Sequence, residues 1–224
     1  MKSQRPDAGN NQKGKYLLAL HSSSETLGVA LLNCAGINTT KQISTFPLGR
    51  ALSKNLLSCV NELLPSEDWS QIVRLGVAIG PGGFTGTRLS VVMARTLAQQ
   101  LGCSLDGVSS FSLMAPRLAQ TLNSEQLQKP FWIVQKIPRR GVVAGCYQLQ
   151  TEATSGFLTD FLEMEAPRLF PEKSGLEPQL EANDDVAADV GCLLDYCSKS
   201  YELDRPSPWS GVLPLYPTSP VEHC

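Results

Sequence analysis

At 224 residues, the chain is long enough to bury a substantial core, either as one domain or as two compact halves. Its formal net charge of only −2 excludes the broadly basic surface of an autonomous nucleic-acid-binding protein, so an RNA partner would be held mainly by another protein. Seven scattered cysteines without a Cys-x-x-Cys pair, no export signal and no membrane-spanning apolar run predict a cytoplasmic protein without a membrane partner.

Three apolar runs follow a polar opening segment, residues 1–14, which is predicted to be flexible. The runs lie at residues 16–20, 27–32 and 41–48 and are separated by polar turns. They predict an antiparallel meander of three strands. Residues 50–64 then carry apolar side chains at helical spacing, which predicts an amphipathic helix.

Strands and helices alternate after this first helix. Residues 74–79 and 106–108 predict two more strands. Residues 89–101 and 109–122 predict two more helices, the second of them capped by one of the serines at its start. The resulting order is β-β-β-α-β-α-β-α.

The second half repeats the opening pattern more weakly. Residues 131–135 and 142–149 predict two strands around a basic turn, which resembles the opening strand pair and indicates duplication of a supersecondary unit. Beyond residue 151 no strand is predicted, and three segments follow: a polar loop (172–183), a helix (185–200) and a proline-rich extended tail (206–220).

A glycine-rich stretch, Gly80–Arg88, joins the fourth predicted strand to the next helix. Such a turn presents backbone N–H groups and the positive end of a helix dipole, a common arrangement for holding phosphate. It lacks both the Gly-Lys-Ser/Thr of a Walker A sequence and the Gly-x-Gly-x-x-Gly pattern with a downstream acid. Whether the loop binds a nucleotide or organises a surface is open at this point. The candidate anion or nucleotide loop, with Thr85 as the predicted N-cap, comprises Gly80, Gly82, Gly83, Thr85 and Gly86.

The sequence lacks the residues that direct ATP hydrolysis needs. Actin-like ATPases order the water shell of Mg²⁺ with a carboxylate at the end of their first strand, where this chain has His21. The matching turn of the second half, residues 137–140, has no acid either. The second histidine, His223, forms no metal-binding spacing with His21, and the serines after His21 are typical turn residues. The sequence therefore predicts no catalytic residue, no metal site and no cofactor.

The helix after the glycine loop is apolar over much of its circumference, so it is either sandwiched within its own domain or docked against another chain. Arg88 falls in its first turn, where the helix dipole disfavours a cation. Two interpretations stay open for Arg88: contact with an anion or partner carboxylate, or exposure to solvent. The candidate partner interface or adjacent core comprises Leu52, Leu56, Val60, Arg88, Leu89, Val92, Met93 and Thr96.

Three segments resemble motifs of the TsaB (YeaZ) family. Residues 17–31 resemble its opening motif, Gly80–Arg88 is similar to its Gly-Pro-Gly-Ser-Phe-Thr-Gly-x-Arg loop, and residues 107–110 fit its next strand and turn. The resemblance implies an α/β, actin-like (ASKHA, ribonuclease H-like) fold of two similar lobes. Their implied boundaries are residues 15–115 and 116–224, the second lobe being smaller, less regular and ending in the proline-rich tail.

The resemblance also implies a function. TsaB-type proteins are non-catalytic subunits of the complex that forms N6-threonylcarbamoyladenosine at tRNA position 37. They bind and stabilise the catalytic paralogue TsaD through helices of the N-terminal lobe, and a TsaE-type ATPase joins the pair. The low net charge predicts that tRNA is contacted indirectly, and a homodimer through the same helices is a further alternative for the chain alone.

The chain departs from the family pattern at several positions. His21 and Ile137 replace usual aspartates, and Gly83 stands where serine is common. Tyr216-Pro217-Thr218 replaces a Tyr-Leu-Arg sequence. These departures argue against a bound nucleotide and leave the helical surface intact. The alternative interpretations are a residual ATPase or metallopeptidase-like enzyme of the same fold, and a homodimeric interaction protein.

Overall fold

The computed structural model describes residues 15–35, 39–150, 160–171 and 175–217. The predictions about residues 1–14, His223 and Thr218 lie outside these ranges. No helix within them is long and apolar enough to cross a membrane. In chain order, the elements are β1 (Tyr16–His21), β2 (Thr26–Asn33), β3 (Thr40–Pro47), α1 (Leu52–Leu63), β4 (Ile72–Ala78), α2 (Phe84–Leu101), β5 (Ser104–Val108), α3 (Ser110–Leu118), α4 (Ser124–Leu127), β6 (Phe131–Ile137), β7 (Gly141–Leu149), β8 (Phe161–Phe170), β9 (Gln179–Glu181) and α5 (Val186–Glu202).

Two sheets with related topology form the framework. In the first, β1, β2 and β3 form the predicted antiparallel meander and β4 and β5 follow in parallel, giving the order β3-β2-β1-β4-β5. The second sheet, β8-β7-β6-β9, repeats the meander and its first parallel neighbour. This repetition confirms the actin-like α/β fold of two similar lobes. Within the described ranges the second sheet lacks a counterpart of β5, so the second lobe is the smaller one.

Strands β1, β2 and β4 of the first sheet are largely buried because helices cover both faces there, whereas the edge strand β3 is mostly exposed. Successive side chains of a strand point to opposite faces. On β1, Leu18 and Leu20 pack in the core that α1 and α2 share, whereas Leu17 and Ala19 pack in the core formed with α5. The strand therefore reads as a continuous apolar run, as buried parallel strands do.

Helices cross between the halves of the chain. The late helix α5 packs on the first sheet, where a Cβ added at Gly76 would lie 2.3 Å from the Sγ of Cys197, so only glycine permits this close approach. Helix α3 packs instead on the second sheet, with Phe111 against Phe131 in one apolar cluster. The boundary placed between residues 115 and 116 consequently falls inside α3, a helix with most of its buried side chains in the second core but with Leu113 in the core formed with α5.

The first turn of α2 differs from its prediction. The helix begins at Phe84 instead of residue 89, and Gly83 occupies the N-cap position without a side-chain hydrogen bond. The predicted Thr85 cap is therefore wrong, because Thr85 already lies inside the helix. The predicted serine cap of α3 is confirmed, since the backbone N–H of Ser112 donates to Ser109 Oγ at 3.1 Å.

Strands β8 and β9 were absent from the prediction, which placed no strand after residue 151. Strand β8 is the edge of the second sheet, and it carries Glu163, Glu165 and Arg168 together with Pro167. Charged residues and proline are typical of edge strands, because they discourage pairing with other chains. Residues 162–166 do alternate apolar and acidic side chains, a strand signal that the prediction overlooked.

Candidate protein-interaction surface

The glycine loop packs directly on the turn between β1 and β2. A Cβ added at Gly82 would lie 2.3 Å from the carbonyl oxygen of Ser23, and one at Gly86 would lie 2.6 Å from that of Ser22. The backbone N–H of Gly83 donates to the Ser23 carbonyl oxygen at 2.5 Å. The glycines are therefore needed for a close approach between two segments of the same chain.

Hydroxyl groups of the serine turn between β1 and β2 add hydrogen bonds to the glycine loop and to the helices next to it. The Oγ of Ser22 lies 2.7 Å from that of Ser90, on α2, and 2.9 Å from the Gly86 carbonyl oxygen. The Oγ of Ser23 lies 2.6 Å from that of Ser110, at the start of α3. All four serines are buried, so these hydrogen bonds are protected from exchange with water.

These contacts bear on the candidate anion loop. The Gly83 N–H is used within the chain, and Gly82 and Gly86 face carbonyl oxygens of the serine turn. A cleft of about 530 Å³ beside the loop is lined by Arg50 but also by the acidic Glu25 and Asp184. The local charge is thus mixed, and the geometry favours the interpretation that the loop organises a surface.

Replacing Gly82 with alanine is expected to destabilise the fold by about 1–3 kcal/mol, because the new Cβ would overlap Ser23. Gly83→Ala is the matched control: its Cβ would lie 3.5 Å from the Ser23 carbonyl oxygen, an ordinary contact, and its φ of −57° suits alanine. Urea unfolding of the two variants measures the difference. Equal free energies of unfolding would contradict the close-packing argument.

His21 ends β1 as a buried, uncharged side chain. It is 1% exposed, and neither ring nitrogen has a hydrogen-bond partner among the described residues. Burial, and secondarily the positive charge of Arg117, lower the pKa of His21 to about 4. The imidazole is therefore neutral near pH 7. Within the described ranges no group of three or more His, Cys, Asp or Glu side chains is placed to hold a metal ion.

The lowered pKa of His21 predicts a pH-dependent stability. The unfolded chain binds a proton at this histidine near pH 6.5, whereas the folded chain binds it only near pH 4. Stability is therefore fully present above pH 6.5 and falls as the pH drops from 6.5 toward 4, by up to about 3 kcal/mol. His21→Leu is expected to flatten this part of the pH profile in urea unfolding. Identical profiles for both proteins would refute the assignment.

Helices α1 and α2 cover the same face of the first sheet, so their outward faces lie on one side of the molecule. On those faces Leu57 is 57% exposed and Val92 is 60% exposed, and Phe84 at the start of α2 is 41% exposed. Thr96, one turn after Val92, is also exposed, and its hydroxyl donates to the Val92 carbonyl oxygen at 2.9 Å. We call these four residues the helix surface.

Several predicted interface positions are not part of this surface. Leu52, Leu56 and Val60 are buried in the core, because the apolar stripe of a helix that lies on a sheet faces that sheet. Leu89 and Met93 are half-buried and pack against the same core at the border of the helix surface. The three buried residues thus support the surface from beneath and are not available to a partner.

Arg88 is held by aromatic rings of its own chain, a contact that neither of its two interpretations included. Its Cζ lies 3.5 Å from the ring centroid of Phe84 and 4.7 Å from that of Tyr216. Its Nε donates to the Tyr216 hydroxyl oxygen at 2.6 Å. Sequence reasoning missed Tyr216 as a functional candidate because it lies 128 residues further along the chain. We call Phe84, Arg88 and Tyr216 the aromatic clasp.

Two solved structures match most of the chain. An uncharacterized protein with similarity to peptidase YEAZ from Pseudomonas aeruginosa has a TM-score of 0.66 at 21% identity, covering 91% of this chain and 100% of that one. YeaZ from Pseudomonas aeruginosa gives 0.65 at 22% identity, covering 90% and 99%. Together with the sheet order, these matches define an actin-like α/β protein with the YeaZ architecture.

Sequence comparison finds one matching family model and one curated relative. Residues 47–137 match the family model described as TsaD, tRNA N6-adenosine threonylcarbamoyltransferase. The chain is also 31% identical over 158 residues to the tRNA threonylcarbamoyladenosine biosynthesis protein TsaB of Bacillus subtilis (strain 168). That alignment spans 66% of this chain and 65% of the relative. Together with the structural matches, these similarities support assignment of the chain to the TsaB (YeaZ) family.

Proposed function

We propose that this chain is a non-catalytic subunit in the formation of N6-threonylcarbamoyladenosine at tRNA position 37, where it binds and stabilises a TsaD-like catalytic paralogue. The observation that carries the proposal is the helix surface, in which Val92 stands 60% exposed on a helix otherwise anchored in the core. An apolar side chain held outward on a rigid helix favours association by leaving water on binding. The names of the matched family model and of the curated relative supply the pathway.

The class of partner follows from the segment that matches the TsaD model. Residues 47–137 contain α1, α2 and the strands between and after them, so a TsaD-like protein would present an equivalent helix pair. Two such pairs can pack face to face with pseudo-twofold symmetry, helix ridges filling helix grooves. The same surface on two copies of this chain would support a homodimer when the partner is absent.

Two observations support binding over catalysis. His21 is buried and neutral where actin-like ATPases place a carboxylate, and the glycine loop is filled by the chain's own serine turn. In the proposed complex a TsaE-like ATPase joins the pair, and tRNA is held mainly by the partner, since the formal charge of this chain is −2. The described cysteines are free thiols, which suits the proposed cytoplasmic location.

Sedimentation velocity on the purified chain, alone and mixed with the TsaD-like protein of the same source, tests the proposal. We expect a 1:1 heterodimer at micromolar concentrations and displacement of any homodimer by the partner. Independent sedimentation of the two proteins would contradict the proposal. Metal-dependent ATP turnover by the chain alone, abolished in Arg88→Ala, would instead support a residual ATPase.

A further inference from the structure

The aromatic clasp presents unused hydrogen-bond donors beside the helix surface. Arg88 Nε is taken by Tyr216, but among the described residues the terminal guanidinium nitrogens of Arg88 have no hydrogen-bond or ion-pair partner. The Tyr216 hydroxyl accepts from Arg88, and its own proton is not used in any hydrogen bond within those residues. Both side chains are only partly buried, so these donors are accessible.

The surroundings of Arg88 favour the binding of an anion to its guanidinium group. The Phe84 and Tyr216 rings lie close to the Arg88 guanidinium and shield part of it from water, and such shielding strengthens a charge interaction at its terminal nitrogens. The early start of α2 at Phe84 places Arg88 in the second turn of the helix, so the unfavourable first-turn position predicted from the sequence does not occur. A planar guanidinium held in one orientation is suited to a carboxylate, which accepts two parallel N–H bonds.

We infer that the aromatic clasp is an anchoring site for a carboxylate of the partner protein, an Asp or Glu side chain that pairs with Arg88 and accepts a hydrogen bond from Tyr216. This inference rests on the proposed function and specifies the chemistry of the same interface. Arginine and tyrosine with apolar neighbours are the composition of interface hot spots. Phe84 belongs to both the clasp and the helix surface, so the charged anchor is continuous with the apolar patch.

A nucleic-acid phosphate is the other anion that such donors could bind, and the surroundings argue against it. Phosphate backbones are bound by several cations acting together. Here the residues exposed near the clasp include Phe84 and Val92, and the chain as a whole is slightly acidic. The cleft that Phe84 shares with Arg50 also carries Glu25 and Asp184, so the site lacks the concentrated positive charge that a polyanion needs and matches a single protein carboxylate better.

The C-terminal segment positions Tyr216 and so becomes part of the interface. The N–H of Leu215 donates to the Ile79 carbonyl oxygen at 2.7 Å, directly before the glycine loop. Upstream, the N–H of Leu105 donates to the Ser207 carbonyl oxygen at 2.9 Å, which attaches the segment to the edge strand β5. The clasp is therefore assembled by two parts of the chain: the start of α2 and the C-terminal segment.

Calorimetric titration of the TsaD-like partner into the chain and three variants tests the inference. Arg88→Met is expected to raise the Kd on the order of 100-fold, and Arg88→Lys, which keeps the charge, on the order of tenfold. Tyr216→Phe keeps the stacked ring and is expected to raise the Kd about fivefold. The matched control is Arg168→Met, because Arg168 also stacks on an aromatic ring, with its Cζ 4.1 Å from the Phe170 ring centroid. Arg168 lies on the second sheet, so the Kd of this variant for the partner should stay within about twofold of that of the unmodified chain.

Two further readouts separate recognition from structural support. The Kd of the unmodified chain should rise with NaCl concentration more steeply than that of Arg88→Met, whereas the thermal midpoints should agree within a few degrees. An unchanged Kd in Arg88→Met would overturn the inference while leaving the proposed function intact. Loss of tRNA binding without loss of partner binding would also overturn it, in favour of a phosphate site. No binding by the unmodified chain would overturn the proposed function and the anchor together.

Discussion

Replacing Val92 with glutamate is expected to abolish binding of the TsaD-like partner and leave the fold unchanged. Val92 is 60% exposed in the free chain, and glutamate is a better helix former than valine, so the variant should fold normally. In the complex the new carboxylate would be buried against an apolar partner surface without a counter-ion. Such a charge costs about 3–5 kcal/mol, which raises the Kd by about two to four powers of ten.

Met164→Glu provides the control for this substitution. Met164 is also an exposed apolar residue, 49% exposed, but it lies on β8 of the second sheet. Its replacement changes charge and hydrophobicity as Val92→Glu does, and should leave the affinity for the partner unaltered. Sedimentation velocity and thermal unfolding of both variants measure association and folding separately. Normal assembly of folded Val92→Glu with the partner would show that α2 is not the contact.

Met93→Glu is less informative, although Met93 was predicted at the interface beside Val92. Met93 is half-buried and packs against the core of its own lobe. A carboxylate there would weaken folding as well as association, because burying a charge without a partner is unfavourable in either setting. Substitution of the more exposed Val92 therefore separates a loss of association from a loss of folding stability.

The first lobe could be predicted from sequence because its signals are local. The runs that became β1 and β2 are apolar on both faces, and α1 shows helical spacing, so each element is recognisable from its own residues. The early start of α2 was missed because Gly86 lies in its first turn, and glycine is unfavourable within helices. That turn is stabilised by contact with Ser22 and Ser23, which local propensity does not record.

The surface was harder to predict than the fold. Helical spacing identified Leu52, Leu56 and Val60 as one apolar stripe, but it gave no information about what covers that stripe. In the structure, the first sheet of the same chain covers it. The informative residues were those off the stripe: Leu57 follows Leu56 directly and must point elsewhere on the helix. An apolar residue out of phase with the buried face is thus the better sequence signal for an interface. The aromatic clasp has no such signal, since it depends on contact between distant segments.

Arg74→Met is expected to destabilise the fold by about 3–5 kcal/mol, a large part of the 5–15 kcal/mol typical of a whole domain. Arg74 on β4 and Asp106 on β5 are 3% and 5% exposed. Nε and Nη2 of the arginine donate to the two carboxylate oxygens at 2.6 and 2.9 Å. Removing the arginine would leave a buried carboxylate without its counter-ion. Urea unfolding followed by circular dichroism measures the loss.

The same substitution tests whether the effect of the Arg74–Asp106 pair on stability depends on its burial or on its charges alone. Arg74→Met combined with Asp106→Leu is expected to recover most of the lost stability, because replacing both members of a buried pair removes the unpaired charge. Lys41→Met, which breaks the more exposed Lys41–Asp195 pair, should change the free energy of unfolding by less than about 1 kcal/mol. If Arg74→Met were as mild as Lys41→Met, the buried pair would not be a major stabilising contact.

Arg74 also connects this pair to the C-terminal segment, because its Nη1 donates to the Arg205 carbonyl oxygen at 2.9 Å. That segment runs on to Tyr216, so Arg74→Met removes an attachment at one end of the segment that completes the clasp at the other. Partner binding by the double variant should therefore be weaker than that of the unmodified chain, even where its stability is recovered. Full recovery of both properties would mean that the remaining contacts of the segment, at Leu105 and Ile79, position Tyr216 without Arg74.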